Sequence, residues 1–360
     1  MVPARAVEPG PLLATLQAVG PQAKGQREAA WAWAELIQAD VSTLPRLLAA
    51  LDQAQPLSAN WIATAIEAIA QRETQRGGRL PAAELQRFVL DLHHAPRARR
   101  LAYELLLSAD ASARQRLIPG MVNDPSLELR RDAVAMLIAE GQVQEKTDPA
   151  RAKTVYQRAF AAARDMDQIY ALAGRLRRLG EKVDLPGHFG LVMHWQVIGP
   201  FDNRGEKGYD AVYPPEREIR LAATYPGKQG PVTWKEWTTH DESGLVDLDK
   251  VLEELKGVVA YAASEFISPQ RREVQFRLAS FSAVKVWLNG KLVDQHKVYH
   301  NGSQFDQYIS RAVLEPGKNR ILLKICQNEQ TQDWTRVWQF QFRVCDELGT
   351  AILSLDRKQP

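Results

Sequence analysis

Cysteine is scarce in this chain. Two residues in 360, Cys326 and Cys345, both fall in stretches that read as strands. If those strands form one hairpin centred near Gln332, Cys326 faces Val337 and not Cys345, so no disulfide is expected and both thiols read as buried. Long apolar runs are missing too, and none approaches the ~20 residues a helix needs to span a bilayer. No sign of charge dominates: the formal net charge is +3, with Lys and Arg interspersed among Asp and Glu. Nucleic-acid binding calls for a concentrated basic face, so it is not expected. The densest basic groups, Arg97, Arg99 and Arg100 and then Arg175, Arg177 and Arg178, read as solvated helix faces.

Catalytic signatures are also absent. There is no G-x-S-x-G nucleophile elbow and no P-loop or dinucleotide fingerprint. A glycosidase needs two carboxylates roughly 5–10 Å apart across a cleft. Glu265, Glu273, Asp306 and Glu329 occur, but no motif singles out a pair. The expectation is a protein that is not an enzyme.

What the sequence does contain is a change of grammar near Leu185-Pro186-Gly187. Before it run helix pairs rich in Ala, Leu and Arg. Leu44-Pro45, Leu80-Pro81 and Ile118-Pro119 open three of them at spacings of 36 and 38 residues, the range of helix-pair repeats. Trp61, Ile62, Ala65, Ile66 and Ile69 form the apolar stripe of one second helix; Leu101, Leu105 and Leu106 serve the next, and Val134, Leu137 and Ile138 the third. Asp124-Pro125 and Asp148-Pro149 read as an N-cap with Pro at N1, and Gly180 as a C′ residue. His93-His94 invites a metal reading, but adjacent residues on a helix point about 100° apart and no third ligand stands near them. The imidazoles are expected at a helix terminus, near its last carbonyls.

After the change come alternating strands: Leu191 to Ile198, Val232 to Trp237, Val258 to Phe266, Glu273 to Ala279, Ala283 to Leu288, Asn319 to Ile325 and Arg336 to Val344. Asn289-Gly290 predicts a type I′ turn closing a hairpin from Val286 to Val293. About eight strands over roughly 155 residues imply a jelly roll or related sandwich. The fold class is therefore multidomain α plus β: a helical repeat array over residues 11–182 and a β-sandwich over residues 190–350.

The stretch Asn123-Asp124-Pro125-Ser126-Leu127-Glu128-Leu129-Arg130-Arg131-Asp132-Ala133-Val134 resembles the inter-helix turn and second helix of a HEAT repeat. Lys285-Val286-Trp287-Leu288-Asn289-Gly290-Lys291-Leu292-Val293, with Leu314-Glu315-Pro316-Gly317-Lys318-Asn319-Arg320-Ile321-Leu322-Leu323-Lys324, resembles the galactose-binding-like jelly roll of glycoside hydrolase sugar-binding domains. Trp195-Gln196-Val197-Ile198-Gly199-Pro200-Phe201-Asp202-Asn203 is similar to the entry of such domains in large bacterial extracellular proteins. The whole chain resembles a bacterial family that pairs a HEAT-like helical region with this sandwich. The resemblance implies a non-catalytic protein whose array docks a protein partner and whose sandwich binds carbohydrate or a cell-envelope component. Purely structural scaffolding is the alternative, and a glycan-acting hydrolase the weaker one.

Sugar recognition needs an aromatic platform and planar amide or carboxylate groups. The candidates are Trp334, Trp237, Tyr299, His300, Asp306, Gln327, Asn328 and Glu329, with the polar loop Cys326 to Trp334 the most promising stretch. Trp234 and Trp237 are three apart and should face opposite sides, and Trp287 is expected in the core. No cofactor is expected. Asp202, Asn203 and Asp210 lie in an oxygen-rich loop where the resembled jelly rolls carry structural calcium, but Arg204 and Lys207 within it argue against a cation. Met1 to Val7 shows no charged segment followed by an apolar one, so no signal peptide is read there. A leader removed or lying upstream would place the protein in the periplasm or outside the cell; otherwise it is cytoplasmic. Limited proteolysis should cut between Glu181 and Gly190 and release one helical and one β-rich fragment. Circular dichroism of the two fragments checks this, and mixed helix and strand in both would contradict it.

Overall fold

The computed structural model describes residues 7–357; Met1 to Ala6, most of the segment read for a signal peptide, lie outside the described residues. The chain divides into two compact units, 1–181 and 182–360. The expected linker is narrower than the sequence implied. Leu185–Phe189 forms a short helix, α11, whose Asp184 cap accepts from the Gly187 N–H at 2.8 Å and pairs with Arg357 at 2.7 Å, all within the second unit.

The first unit is helical. Its helices are α1 (Pro9–Gln17), α2 (Gln26–Leu36), α3 (Leu44–Ala50), α4 (Pro56–Gln75), α5 (Ala82–Leu90), α6 (Pro96–Ala109), α7 (Ala113–Leu117), α8 (Leu127–Gln144), α9 (Pro149–Ala162) and α10 (Met166–Arg178). Proline occupies the first turn of α3, α4, α6 and α9, where its missing N–H is no loss. On α4, Ile62, Ala65, Ile66 and Ile69 are buried at helical spacing while Trp61 is half-buried. Helix α6 packs on both α3 and α8, and α8 on α10, so each pair stacks on the next.

Two helix starts differ from expectation. Ile118-Pro119 does not open a helix; α7 begins earlier, at Ala113, and gives way to a 3₁₀ turn over Ile118–Met121. Helix α8 is capped by Ser126 and not by Asp124. Asp124 instead receives both guanidinium arms of the buried Arg99 at 2.7 Å each, while Arg99 Nε donates to the Val89 carbonyl. That pairing also overturns the reading of Arg97, Arg99 and Arg100 as a solvated face. Arg97 donates to the Leu51 and Ala54 carbonyls, and Arg100 pairs with Glu104 and Asp132 at 2.8 and 2.6 Å. Pointing in different directions from one helix, the three arginines thus reach the end of α3, Asp124 and α8. His94 lies in the turn after α5, stacked on Phe88 and bonded to Asp52 at 2.8 Å, not at the last carbonyls. Asp148 and Gly180 behave as expected, as N-cap and left-handed C′ residue.

The second unit is an antiparallel sandwich. Its strands are β1 (His194–Asp202), β2 (Thr224–Pro226), β3 (Pro231–Thr233), β4 (Lys235–Thr238), β5 (Val246–Asp247), β6 (Val258–Ser268), β7 (Arg272–Ser280), β8 (Ala283–Leu288), β9 (Lys291–His296), β10 (Tyr308–Leu314), β11 (Gly317–Gln327) and β12 (Gln339–Cys345). One sheet runs β4-β1-β6-β11-β8-β9, the other β10-β7-β12-β5. Asn289-Gly290, both at positive φ, closes the β8–β9 hairpin as predicted. Strands β11 and β12 lie in different sheets, so they form no hairpin, and Cys326 and Cys345 are buried apart as free thiols.

Between the sheets lies a core that includes Trp195, Phe276, Ile321, Leu323, Phe340 and Phe342. A second core covers the outer face of the six-stranded sheet. There Tyr209, Val232 and Trp234, from the excursion between β1 and β4, pack on Val259, Tyr261, Trp287, Leu322 and Cys326. Strands β6 and β11 are therefore buried on both faces, which explains the unbroken apolar run Val258-Val259-Ala260-Tyr261-Ala262-Ala263.

A lysine is sealed into this second core. Lys324, on β11 and fully buried, donates to the Tyr209 carbonyl at 3.0 Å, the Ala211 carbonyl at 2.7 Å and the Glu216 carboxylate at 2.8 Å. Glu216 lies on α12 (Pro214–Arg217) and also accepts from the Tyr261 hydroxyl. Burial pushes the ammonium of Lys324 down and, with the Glu216 charge, the phenol of Tyr261 far up.

Buried ionisable groups in this unit set two stability expectations. Lys324→Met strands the Glu216 carboxylate and should cost about 3–5 kcal/mol in urea unfolding, with Lys324→Met/Glu216→Gln recovering part of it. A loss below about 1 kcal/mol would show that the pair holds nothing. On α13 (Leu248–Val251), burial and then the nearby Asp247 and Glu254 raise the Asp249 carboxyl from 3.8 to about 6. Between those pH values the folded state keeps a proton that the unfolded state releases, so stability falls as pH rises through the window. Asp249→Asn should flatten that fall and raise the melting temperature at pH 7, as read by thermal unfolding across pH 4 to 8.

Candidate functional site

Six of the eight sequence candidates meet at one end of the six-stranded sheet, where β1 and β11 finish and β6 and β8 begin. Residue Trp334 stands on a short 3₁₀ turn (Asp333–Thr335) and is 60% exposed. His300 presents its ring edge-on to that indole, centroids 5.4 Å apart at 83°. The His300 Nε2 lies 2.8 Å from Asn328 Oδ1, which also accepts from the Gln330 N–H at 3.2 Å. Because that oxygen is an acceptor, Nε2 is the donor in this bond. Asn328 Nδ2 in turn donates to Glu206 Oε1 at 3.4 Å.

His300 and Glu206 both have positive φ, 58° and 59°. Left-handed backbone at a residue with a Cβ costs of order 1–3 kcal/mol and persists where the surroundings over-determine it. Here two such residues from distant parts of the chain meet on one amide. Sequence reasoning missed Glu206, whose signal, the Arg204-Gly205-Glu206 turn, was read only for calcium.

Behind this front lies a buried polar layer. Asn203 donates to the Gln327 carbonyl at 2.9 Å and the Tyr299 hydroxyl at 3.2 Å. The Gln327 side chain donates to the Thr335 and Val337 carbonyls at 3.2 and 3.4 Å, fixing the turn that bears Trp334. Burial drives the Tyr299 phenol well above its usual range, so it stays protonated. Glu329 Oε1 accepts from the Gly205 N–H at 2.9 Å, tying the β11 exit to the Asn203 loop. Among the described residues, four buried polar atoms at this end find no hydrogen-bond partner: Asn203 Oδ1, Ser282 Oγ, His300 Nδ1 and Gln327 Oε1.

The other two candidates lie elsewhere. Trp237, on β4 and half-buried, packs against the inter-sheet core, while Trp234 packs into the outer one, so both are core and they face opposite ways. Asp306 pairs with Arg277 at 2.7 Å and with Arg343, between strands of the other sheet. It is an ion-pair anchor there, its backbone at φ 60°.

The calcium donors do not converge. Asp202 faces Arg204 at 3.0 Å and Lys228 at 3.5 Å, Asp210 faces Lys297 at 2.9 Å, and the Asn203 amide is turned inward. With each carboxylate set against a cation, this loop does not fit a divalent ion. Among the described residues no group of three or more His, Cys, Asp or Glu is placed to hold a metal, and no helix is long and apolar enough to cross a membrane.

No protein-family model matches the chain, and no curated protein sequence matches it. Among solved structures the chain is similar to a β-glucosidase from Kluyveromyces marxianus in complex with glucose, at 11% identity and a TM-score of 0.27, over 44% of this chain and 16% of that one. It is similar to a β-glucuronidase from an uncultured Clostridium at 12% identity and a TM-score of 0.21, over 44% of this chain and 29% of that one. It is also similar to the Pseudomonas fluorescens alkylpurine DNA glycosylase AlkC bound to DNA containing an abasic site analog, at 12% identity and a TM-score of 0.23, over 97% of each chain. Likenesses this distant carry no argument about activity, and the chain spans less than a third of either glycosidase chain.

Proposed function

We propose that this chain is a non-catalytic binding protein. Its sandwich, of galactose-binding-like type, takes carbohydrate or a glycan of the cell envelope at the Trp334 end, and its HEAT-like array docks a protein partner. The observation that carries the sugar reading is the exposed Trp334 indole held beside His300 and Asn328, above buried polar atoms that no protein group satisfies. An indole face suits the C–H face of a pyranose, and the amides and imidazole suit its hydroxyls. The carboxylates at this end, Glu206 and Glu329, are engaged with an amide and a backbone N–H, which supports binding without turnover. Arg97, Arg99 and Arg100, the densest basic cluster, are spent on contacts inside the array, so nucleic acid is not part of this reading.

The platform projects, and little ligand surface is covered by it. Oligosaccharide affinity should therefore be weak, about 0.1–1 mM by isothermal titration. Trp334→Ala should abolish glycan retention and leave the melting temperature within a degree or two, whereas truncating a buried Trp costs about 3–5 kcal/mol. A large loss of stability would move Trp334 into the core and remove the platform. No turnover is expected on aryl glycosides or esters. Hydrolysis lost on Glu206→Gln or Glu329→Gln would make the protein a hydrolase, and silence in both assays would leave the structural scaffold.

A further inference from the structure

The far end of the same sheet, away from Trp334, carries a separate cleft of about 360 Å³. Its floor is the outer face of β8 and β11, where Trp287 and Leu322 lie opposite each other in register. One wall is α12 with Ile219 beyond it, and the rim carries Arg217, Arg320 and the Lys318–Glu265 pair. This volume falls in the range of small-molecule sites.

The charges in the cleft are unevenly spent. Glu216 turns away from it to Lys324, Glu218 pairs with Arg220 at 2.6 Å, and Glu265 pairs with Lys318 at 2.9 Å. Arg320 sits across from Glu265 in the β6–β11 register, but Lys318 holds that carboxylate. Arg320 adds only a smaller pull to Arg220's hold on Glu218, whose carboxyl lies below its usual range. Among the described residues no carboxylate pairs with the guanidinium of Arg217 or Arg320. The rim beneath Arg320 is rigid: Asn289 Oδ1 accepts its N–H at 2.8 Å, and Asn289 Nδ2 donates to Asn319 Oδ1 at 3.1 Å. Asn319 is buried and binds the Glu315 and Gly317 carbonyls at 2.7 and 3.1 Å.

We infer that this cleft binds a small carboxylate carried on a ring, of the kind a uronic acid presents, with Arg217 and Arg320 taking the carboxylate and Trp287, Leu322 and Ile219 lining the ring. Two planar guanidiniums at one mouth favour a carboxylate over a neutral ligand, because the fork matches its two oxygens. The apolar floor gives the ring a surface that a bare inorganic anion cannot use. The site is distinct from the Trp334 platform, so each can fail without the other.

Titration with galacturonate, galactose and inorganic phosphate tests the inference. Galacturonate should bind at millimolar or better, galactose at least tenfold more weakly at this cleft, and phosphate more weakly than galacturonate. Arg320→Ala and Arg217→Ala should each weaken galacturonate at least fivefold, with Arg320→Lys restoring part of the loss because the charge returns without the fork. Trp334→Ala should leave galacturonate binding unchanged. Both arginines are exposed, so these variants should fold with an unaltered melting temperature. Read in the Trp334→Ala variant, so that the platform does not contribute, three outcomes would overturn the inference: no galacturonate binding up to about 50 mM, roughly equal binding of galactose, or binding indifferent to both arginine substitutions. Phosphate matching galacturonate in affinity and arginine dependence would reduce the cleft to a plain anion site.

Discussion

A lysine with no route to solvent constrains the whole second unit. Strand β11 must pack an apolar side chain against the inter-sheet core at every second residue, and Lys324 points the other way. Left bare there, its ammonium would be prohibitively costly to bury. Two backbone carbonyls and one carboxylate from the excursion between β1 and β4 satisfy it. The same contact fixes α12 over the sheet, closes the second core around Tyr209 and Tyr261, and shapes one wall of the arginine-rimmed cleft. A hydrophobic residue at this position would pack as well, but it would not dictate where the excursion lands.

At the opposite end of the sheet the constraint is polar continuity. Asn203, Gln327 and Asn328 are all buried and come from two segments more than a hundred residues apart. Their amides lock the turn that lifts Trp334 into solvent, and they hold His300 and Glu206 in left-handed backbone. A tight packing of Gly208 supports the same corner, where a Cβ would stand 2.3 Å from the Asp202 carbonyl. The exposed indole is thus the tip of a rigid assembly and not a loose loop residue.

Much of this was legible in the sequence, and the parts that were not share a physical cause. Helix pairs showed in the 3.6-residue spacing on α4, and the β8–β9 turn in Asn289-Gly290, because both are local. The excursion over residues 203–234 was not legible as a second layer. It is rich in Gly, Pro and charge, and its few aromatics acquire meaning only when β6 and β11 are seen to be apolar on both sides. Strand β10 went unread because its burial alternates weakly, with Ile309 exposed. Arginine destinations were equally hidden: nothing local distinguishes Arg99, which reaches Asp124, from a solvated neighbour. In the candidate site the loop from Cys326 to Trp334 was found from its composition, whereas Asp306 and Trp237 were drawn in by residue type alone.

The two thiols have a consequence for how this unit can be watched. Cys326 is sealed beneath the excursion layer, where burial pushes it up to about 12, and Cys345 lies on the other sheet, also raised by burial, with its sulfur against the Gln275 carbonyl. Neither offers a thiolate while its cover is closed. Each is therefore a timer for a different door: alkylation of Cys326 counts liftings of the excursion from β11, and alkylation of Cys345 counts openings at the outer side of β12. If the two rates agree, the sandwich opens as one piece; if Cys326 reacts first, the layer held by Lys324 lifts ahead of the rest.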